Sequence, residues 1–135
     1  MGSKFYPYIG RGNQRNVCLK SITMNIDNGA GATTDDQICN LPYDAQILDV
    51  RAIYTEATDT TGAASANFKL GIAAGGATIV AATPLTAATA IGGTTAGVVV
   101  APFLPANTTL WVRHTGVATT EVGQYFIQVT LIAKP

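Results

Sequence analysis

From residue 17 onward, apolar side chains return at every second position, and that period decides the fold class. Leu110, Val112 and His114 share one side of residues 108–115, and Tyr125, Ile127, Val129 and Leu131 line one side of the closing segment. Successive side chains of a strand point to opposite faces, so a two-residue period marks a strand with one buried face. A helix would need returns every three or four residues. The same alternation runs through residues 46–56 (QILDVRAIYTE), which place Leu48, Val50, Ala52 and Tyr54 on the core side. Asp49, Arg51 and Thr55 lie opposite, joined there by Ile47 and Ile53. In residues 66–74, Phe68, Leu70 and Ile72 alternate with Lys69 and Gly71.

Residues 17–26 hold two apolar sets out of phase, Val17 with Leu19 and then Ile22, Met24 and Ile26, which predicts a bulge near Lys20 and Ser21. Asp27–Asp36 (DNGAGATTDD) has the composition of a loop, Gln37–Cys39 that of a short strand, and Pro42 breaks the chain. Thr78–Ala82 and Val98–Ala101 are expected as short strands buried on both faces. The Ala-rich stretch TPLTAATAIGGTTAG between them is expected as a loop, because its threonines and Gly92, Gly93 and Gly97 are poor helix formers. Seven or eight strands and no helix point to an all-β antiparallel sandwich, with a jelly roll preferred over an immunoglobulin-like order.

A chain of 135 residues has the length of one domain and can bury about two-thirds of its surface. We assign residues 17–135 to the sandwich and residues 1–16 to an extended arm without regular period. That arm carries Phe5, Tyr6, Tyr8 and Ile9, and four of the eight basic residues (Lys4, Arg11, Arg15 and Lys20) precede the first acidic one, Asp27. Its aromatic content requires a partner surface, its own domain or a neighbour. Eight acidic residues balance the eight basic ones and only 12% of the chain is charged, so no global field draws in nucleic acid or an anionic membrane. No apolar run reaches the length of a membrane helix. The first residues lack the apolar core of a secretory signal, so Cys18 and Cys39 are expected as reduced thiols unless their strands pair.

The stock of chemistry is thin. His114 is the lone ring base, and on the core face of its strand it is expected as a hydrogen-bonded structural histidine. No nucleophile elbow, phosphate loop or dinucleotide fingerprint occurs. Cys18, Cys39 and His114 are three residues without close pairing, short of a zinc site. Asp27, Asn28, Asp35 and Asp36 supply oxygen atoms but match no calcium-loop spacing and read as turn formers. We therefore expect no catalytic residue, no metal and no cofactor. Trp111 stands alternate to Leu110 and Val112, on the outer face, where it meets a subunit partner or forms a platform for a sugar ring. Together with Ile47, Ile53, Phe126 and Ile132 it exceeds what an isolated monomer exposes, so these five are expected at an oligomer interface.

An Ala-, Thr- and Gly-rich all-β domain of this length, with the passage PFLPANTTLWVRHTG and the closing strand GQYFIQVTLIAKP, resembles the small structural proteins of tailed bacteriophages, above all capsid decoration (cement) proteins. The resemblance implies a non-enzymatic, homotrimeric jelly roll bound to the major capsid protein on the outer surface of the virion, assembled in the cytoplasm of a bacterial host. Docking would then fall to Lys4, Phe5, Tyr6, Tyr8, Ile9, Arg11 and Arg15 of the arm. The alternative is a carbohydrate-binding or adhesin-like sandwich centred on Trp111.

Overall fold

The computed structural model describes residues 15–59, 66–117 and 122–134. Among them are ten strands and no helix: β1 (Arg15–Lys20), β2 (Met24–Asn25), β3 (Thr33–Leu41), β4 (Asp44–Glu56), β5 (Asn67–Gly71), β6 (Val80–Pro84), β7 (Thr94–Ala96), β8 (Phe103–Leu104), β9 (Thr108–Thr115) and β10 (Gln124–Lys134). One sheet has the order β1-β10-β4-β7, with β2 continuing β1 along β10 and β8 continuing β7 along β4; the other has the order β3-β9-β5-β6. Every pairing is antiparallel. The first strand pairs with the last, β3 with β9, β4 with β7 and β5 with β6. This is one long hairpin rolled into two facing sheets, the jelly roll.

The inward residues of both sheets fill one core. Val50, Ala52, Phe68, Leu70, Leu110, Val112, Ile127, Val129 and Leu131 are completely buried, with Tyr54 and Tyr125 among them. Burying each of the larger aliphatic or aromatic side chains contributes about 1.5–3 kcal/mol. The tilted Tyr54, Tyr125 and Phe68 rings, with centroids 6.3 and 6.5 Å apart along the chain of contacts, tie the two sheets together at one end.

The break expected near Lys20 and Ser21 occurs, and a side chain bridges it. Ser21 donates its N–H to the Ile127 carbonyl at 2.9 Å and accepts the Ile127 N–H on its hydroxyl at 2.8 Å. Pairing with β10 resumes at Met24, so Val17 and Leu19 before the break and Met24 and Ile26 after it face inward, while Ile22 within it is exposed. β1 opens at Arg15, two residues inside the stretch assigned to the arm.

Three expectations are corrected. Residues 33–36 belong to a nine-residue strand and not to a loop. Asp35 stands opposite Arg113 and forms a two-pronged ion pair with it, 2.7 Å on each arm, and this cross-strand contact overrides the turn preference of aspartate. Leu48 is not a core residue and Ile47 is not an outer one. Leu131 pairs with Ile47 but Thr130 with Asp49, so Leu48 is an extra residue in β4, a bulge. The phase therefore shifts: Ile47 is buried at 3% exposure and Leu48 stands out at 47%. Neither Thr78–Ala82 nor Val98–Ala101 is buried on both faces: Thr78, Ala81 and Ala82 are exposed, and Val98 and Val100 are 75% and 65% exposed.

Candidate interaction surfaces

Each sheet turns one face to the outside, and strand register sets what it displays. On the first sheet, Phe126 lies opposite Ile53, which lies opposite Thr94; Ile132 lies opposite Gln46, which lies opposite Phe103. Between these rows stand Gln128 and Arg51. Ile53, Phe126 and Ile132 are half-buried, and the Lys20 ammonium sits 5.4 Å above the Phe126 ring. Arg51 folds back onto Asp49 two residues away, 2.6 Å between Nε and Oδ2, so this part of the face carries little net charge.

The second sheet shows Gln37, Trp111 and Gly71 in one row and Asp35, Arg113 and Lys69 in the next. The hydrogen bonds from Arg113 hold the Asp35 carboxyl below its usual range, against the opposing effect of burial. Gly75, at φ +75°, lies under the Arg113 guanidinium, where a Cβ would come within 2.8 Å of Cζ. Asn40 donates to the Thr109 hydroxyl at 2.7 Å. Trp111 is half-buried here, on the opposite side of the sandwich from Ile53, Phe126 and Ile132. The five residues expected at one interface are therefore not brought together: Ile47 is in the core, Trp111 on one face, the remaining three on the other. Of the arm, Lys4, Phe5, Tyr6, Tyr8, Ile9 and Arg11 lie outside the described residues.

His114 is completely buried, and its Nδ1 is 2.6 Å from the Tyr125 hydroxyl, with the two rings edge to face. Its Nε2 has no well-formed hydrogen bond. Desolvation lowers the histidine pKa to about 4, partly opposed by the backbone of Asn25 and Ile26, and burial raises that of Tyr125. No substrate reaches this ring, so the pair is part of the core. Cys18 and Cys39 are both free thiols. Asp35 is engaged by Arg113 and Asp36 accepts the Ile22 N–H at 2.9 Å, so the acidic residues of this segment serve the sheet edges. Among the described residues, no three His, Cys, Asp or Glu side chains group in a way that would hold a metal ion, and no helix is long and apolar enough to cross a membrane.

Reasoning from the sequence missed the flank of the sandwich. The segment 91–103 runs beside β4 from one end to the other: Gly92 and Gly93 bond to Tyr54, β7 pairs with Arg51–Ile53, Gly97 donates to the Val50 carbonyl, Ile47 donates to the Pro102 carbonyl, and Phe103 pairs with Gln46. At Val99 it also bridges to Val80 of β6, closing the gap between the sheets. Gly97 has to be small, because a Cβ there would come within 2.8 Å of Val80 Cγ1. Ile91, Val98, Val100 and Phe103 are 65–75% exposed along this line. One signal was available: residues 70–112 contain no Asp, Glu, Lys, Arg or His. At the β8 end lies an open groove of about 330 Å³, lined by Asp44, Ala45, Phe103, Leu104, Pro105 and Lys134, with no convergent reactive groups.

No protein-family model and no curated protein matches this sequence. Solved structures do. A chain of the cyanophage Pam1 capsid asymmetric unit aligns with a TM-score of 0.60, covering 98% of this chain and 94% of that one at 18% identity. What is shared is the fold. A chain of the acidic stable capsid structure of Helicobacter pylori bacteriophage KHP30 aligns with a TM-score of 0.56, covering 90% of this chain and 94% of that one at 13% identity. Both alignments run nearly end to end, so the likeness extends to the whole jelly roll.

Proposed function

We propose that this chain is a structural, non-enzymatic component of a phage virion, a decoration or cement protein that binds the capsid shell from outside as a homotrimer. The observation that carries the reading is the end-to-end likeness to chains of two phage capsid assemblies, each close to this chain in length. The lone histidine is buried in the core, where it serves packing. In this reading the partner is the major capsid protein, and the sandwich forms the oligomer.

The arm supplies the grip. Phe5, Tyr6, Tyr8 and Ile9 provide apolar area to bury, and Lys4, Arg11 and Arg15 orient the segment on an acidic surface. Ordering such a segment costs free energy, which several copies bound at once offset through avidity. The test is removal of residues 1–12, which stops short of β1, followed by co-sedimentation with shells lacking the protein. The truncated protein is expected to fold and to keep its oligomeric mass but to stay in the supernatant. Pelleting at the wild-type level would exclude the arm's role.

A second reading has one specific observation in its favour. Trp111 lies on an outer face in register with Gln37 and Gly71, and the amide and hydroxyl of Asn40 and Thr109 are in the adjoining pair. An indole bordered by hydrogen-bonding side chains is the arrangement a carbohydrate-binding module uses. Glycan binding that disappears in Trp111→Ala without change of oligomeric mass would favour this reading over the shell.

A further inference from the structure

Charge is distributed over this molecule in a way that singles out one flank. The outer face of the first sheet carries Lys20, Asp49 and Arg51, the outer face of the second carries Asp35, Lys69 and Arg113, and the edge formed by β1 and β3 carries Lys20 and Asp36. The flank built by residues 91–103 contributes none of its own; the charges beside it are the Arg51–Asp49 pair next to Ala96 and, at its far end, Asp44 and Lys134, whose ammonium lies 5.8 Å from the Phe103 ring. Along it, side chains alternate: Thr94, Ala96, Val98 and Val100 point outward, while Thr95, Gly97 and Val99 are partly covered. Ile91 and Phe103, 70% and 68% exposed, extend this line at its two ends. Leu48 adds to it, because the bulge that ejects its side chain lies where Ile47 and Val50 bond to Pro102 and Gly97. Its anchor points on β4 run from Tyr54 to Gln46, so at about 3.3 Å per strand residue the line is roughly 26 Å long.

We propose that this flank is the surface through which copies of the chain associate, uncharged flank against uncharged flank. The occupant follows from charge. Setting an apolar stripe against either sheet face or the β1–β3 edge would desolvate ionised side chains with nothing on the stripe to pair with them, which is strongly unfavourable. The described surface of this chain that can cover the stripe without that penalty is built by its own charge-free segment, residues 70–112, on another copy, with the same stripe at its centre. The cores of protein interfaces show the same depletion of charge. Identical patches meet across a two-fold axis and also converge around a three-fold axis, so the arrangement is compatible with the trimer proposed above. The proposal rests on that reading only in requiring a homo-oligomer, and it replaces the scattered five-residue interface expected from the sequence.

The test is the mass of the full chain in solution by light scattering, for the wild type, for Val98→Lys/Val100→Lys, and for Thr33→Lys on the opposite edge. Val98, Val100 and Thr33 are all exposed, so each variant is expected to keep the wild-type denaturation midpoint, which is measured alongside. The wild type is expected at a multiple of 13.9 kDa, the double variant at 13.9 kDa, and Thr33→Lys at the wild-type mass. A wild type that stays at 13.9 kDa over the accessible concentration range would overturn the proposal, and so would a folded double variant that keeps the oligomeric mass. Shell binding is scored separately: an oligomer that dissociates in the double variant but never binds shells leaves the flank assignment standing and removes the virion reading.

Discussion

The Nδ1 of His114 and the hydroxyl of Tyr125 meet at 2.6 Å between the two sheets, near one end of the sandwich, on strands that belong to different sheets. The contact joins β9 to β10 through the core, and it makes the fold sensitive to acid. The His114 pKa is lowered from 6.5 to about 4 by desolvation, so between those values the unfolded chain takes up a proton that the folded chain does not. Stability is therefore complete above about pH 6.5 and falls as the pH drops toward 4. The loss is on the order of 2–3 kcal/mol across that window. Urea midpoints at pH 4.5 and 7 should differ by more in the wild type than in His114→Gln. An equal difference in the two proteins would show that another group governs the acid limb.

The bulge in β4 predicts a contrast between adjacent residues. Ile47→Ala removes a side chain that is 3% exposed and is expected to cost about 2–4 kcal/mol, while Leu48→Ala, at 47% exposure, is expected to cost less than about 1 kcal/mol. Chemical denaturation of the two variants checks this directly. If the order is reversed, β4 keeps an unbroken alternation and the pairing of Leu131 with Ile47 is wrong.

The hydroxyl of Tyr54 organises the loop between β6 and β7. It accepts the Thr86 N–H at 2.8 Å and lies 2.6 Å from the Thr95 hydroxyl, which in turn is 2.7 Å from that of Thr86. Tyr54→Phe leaves a backbone donor without its partner, at a cost of about 1–3 kcal/mol. Amide exchange should then accelerate at Thr86 and its neighbours while β9 and β10 keep their protection. Uniform acceleration through both sheets would mean that the hydroxyl supports the whole core and not this loop.

The fold class was legible wherever a strand had one wet face. β9 and the closing strand β10 alternate without interruption, and their inward residues are those the period selects. The alternation failed at Leu48, where one extra residue shifts the phase, because a bulge is specified by pairing with β10 and leaves no mark in β4 alone. It failed again at Asp35, whose local preference for turns is outweighed by Arg113, 78 positions away in sequence. The flank was hidden for a different reason. Val98–Val100 is as apolar as any core strand, and local composition does not tell a segment buried between sheets from one lying along their open side. The absence of charge from residue 70 to 112 was the available clue, and it is visible only when the segment is read as a whole.

The proposal that this protein is part of a virion shell is tested most directly by its abundance in purified particles of a phage whose genome carries its gene, by quantitative mass spectrometry of density-banded virions. The account predicts peptides of this chain at a fixed ratio to those of the major capsid protein, unchanged by further rounds of purification. Peptides abundant in infected cells but missing from banded particles would contradict it.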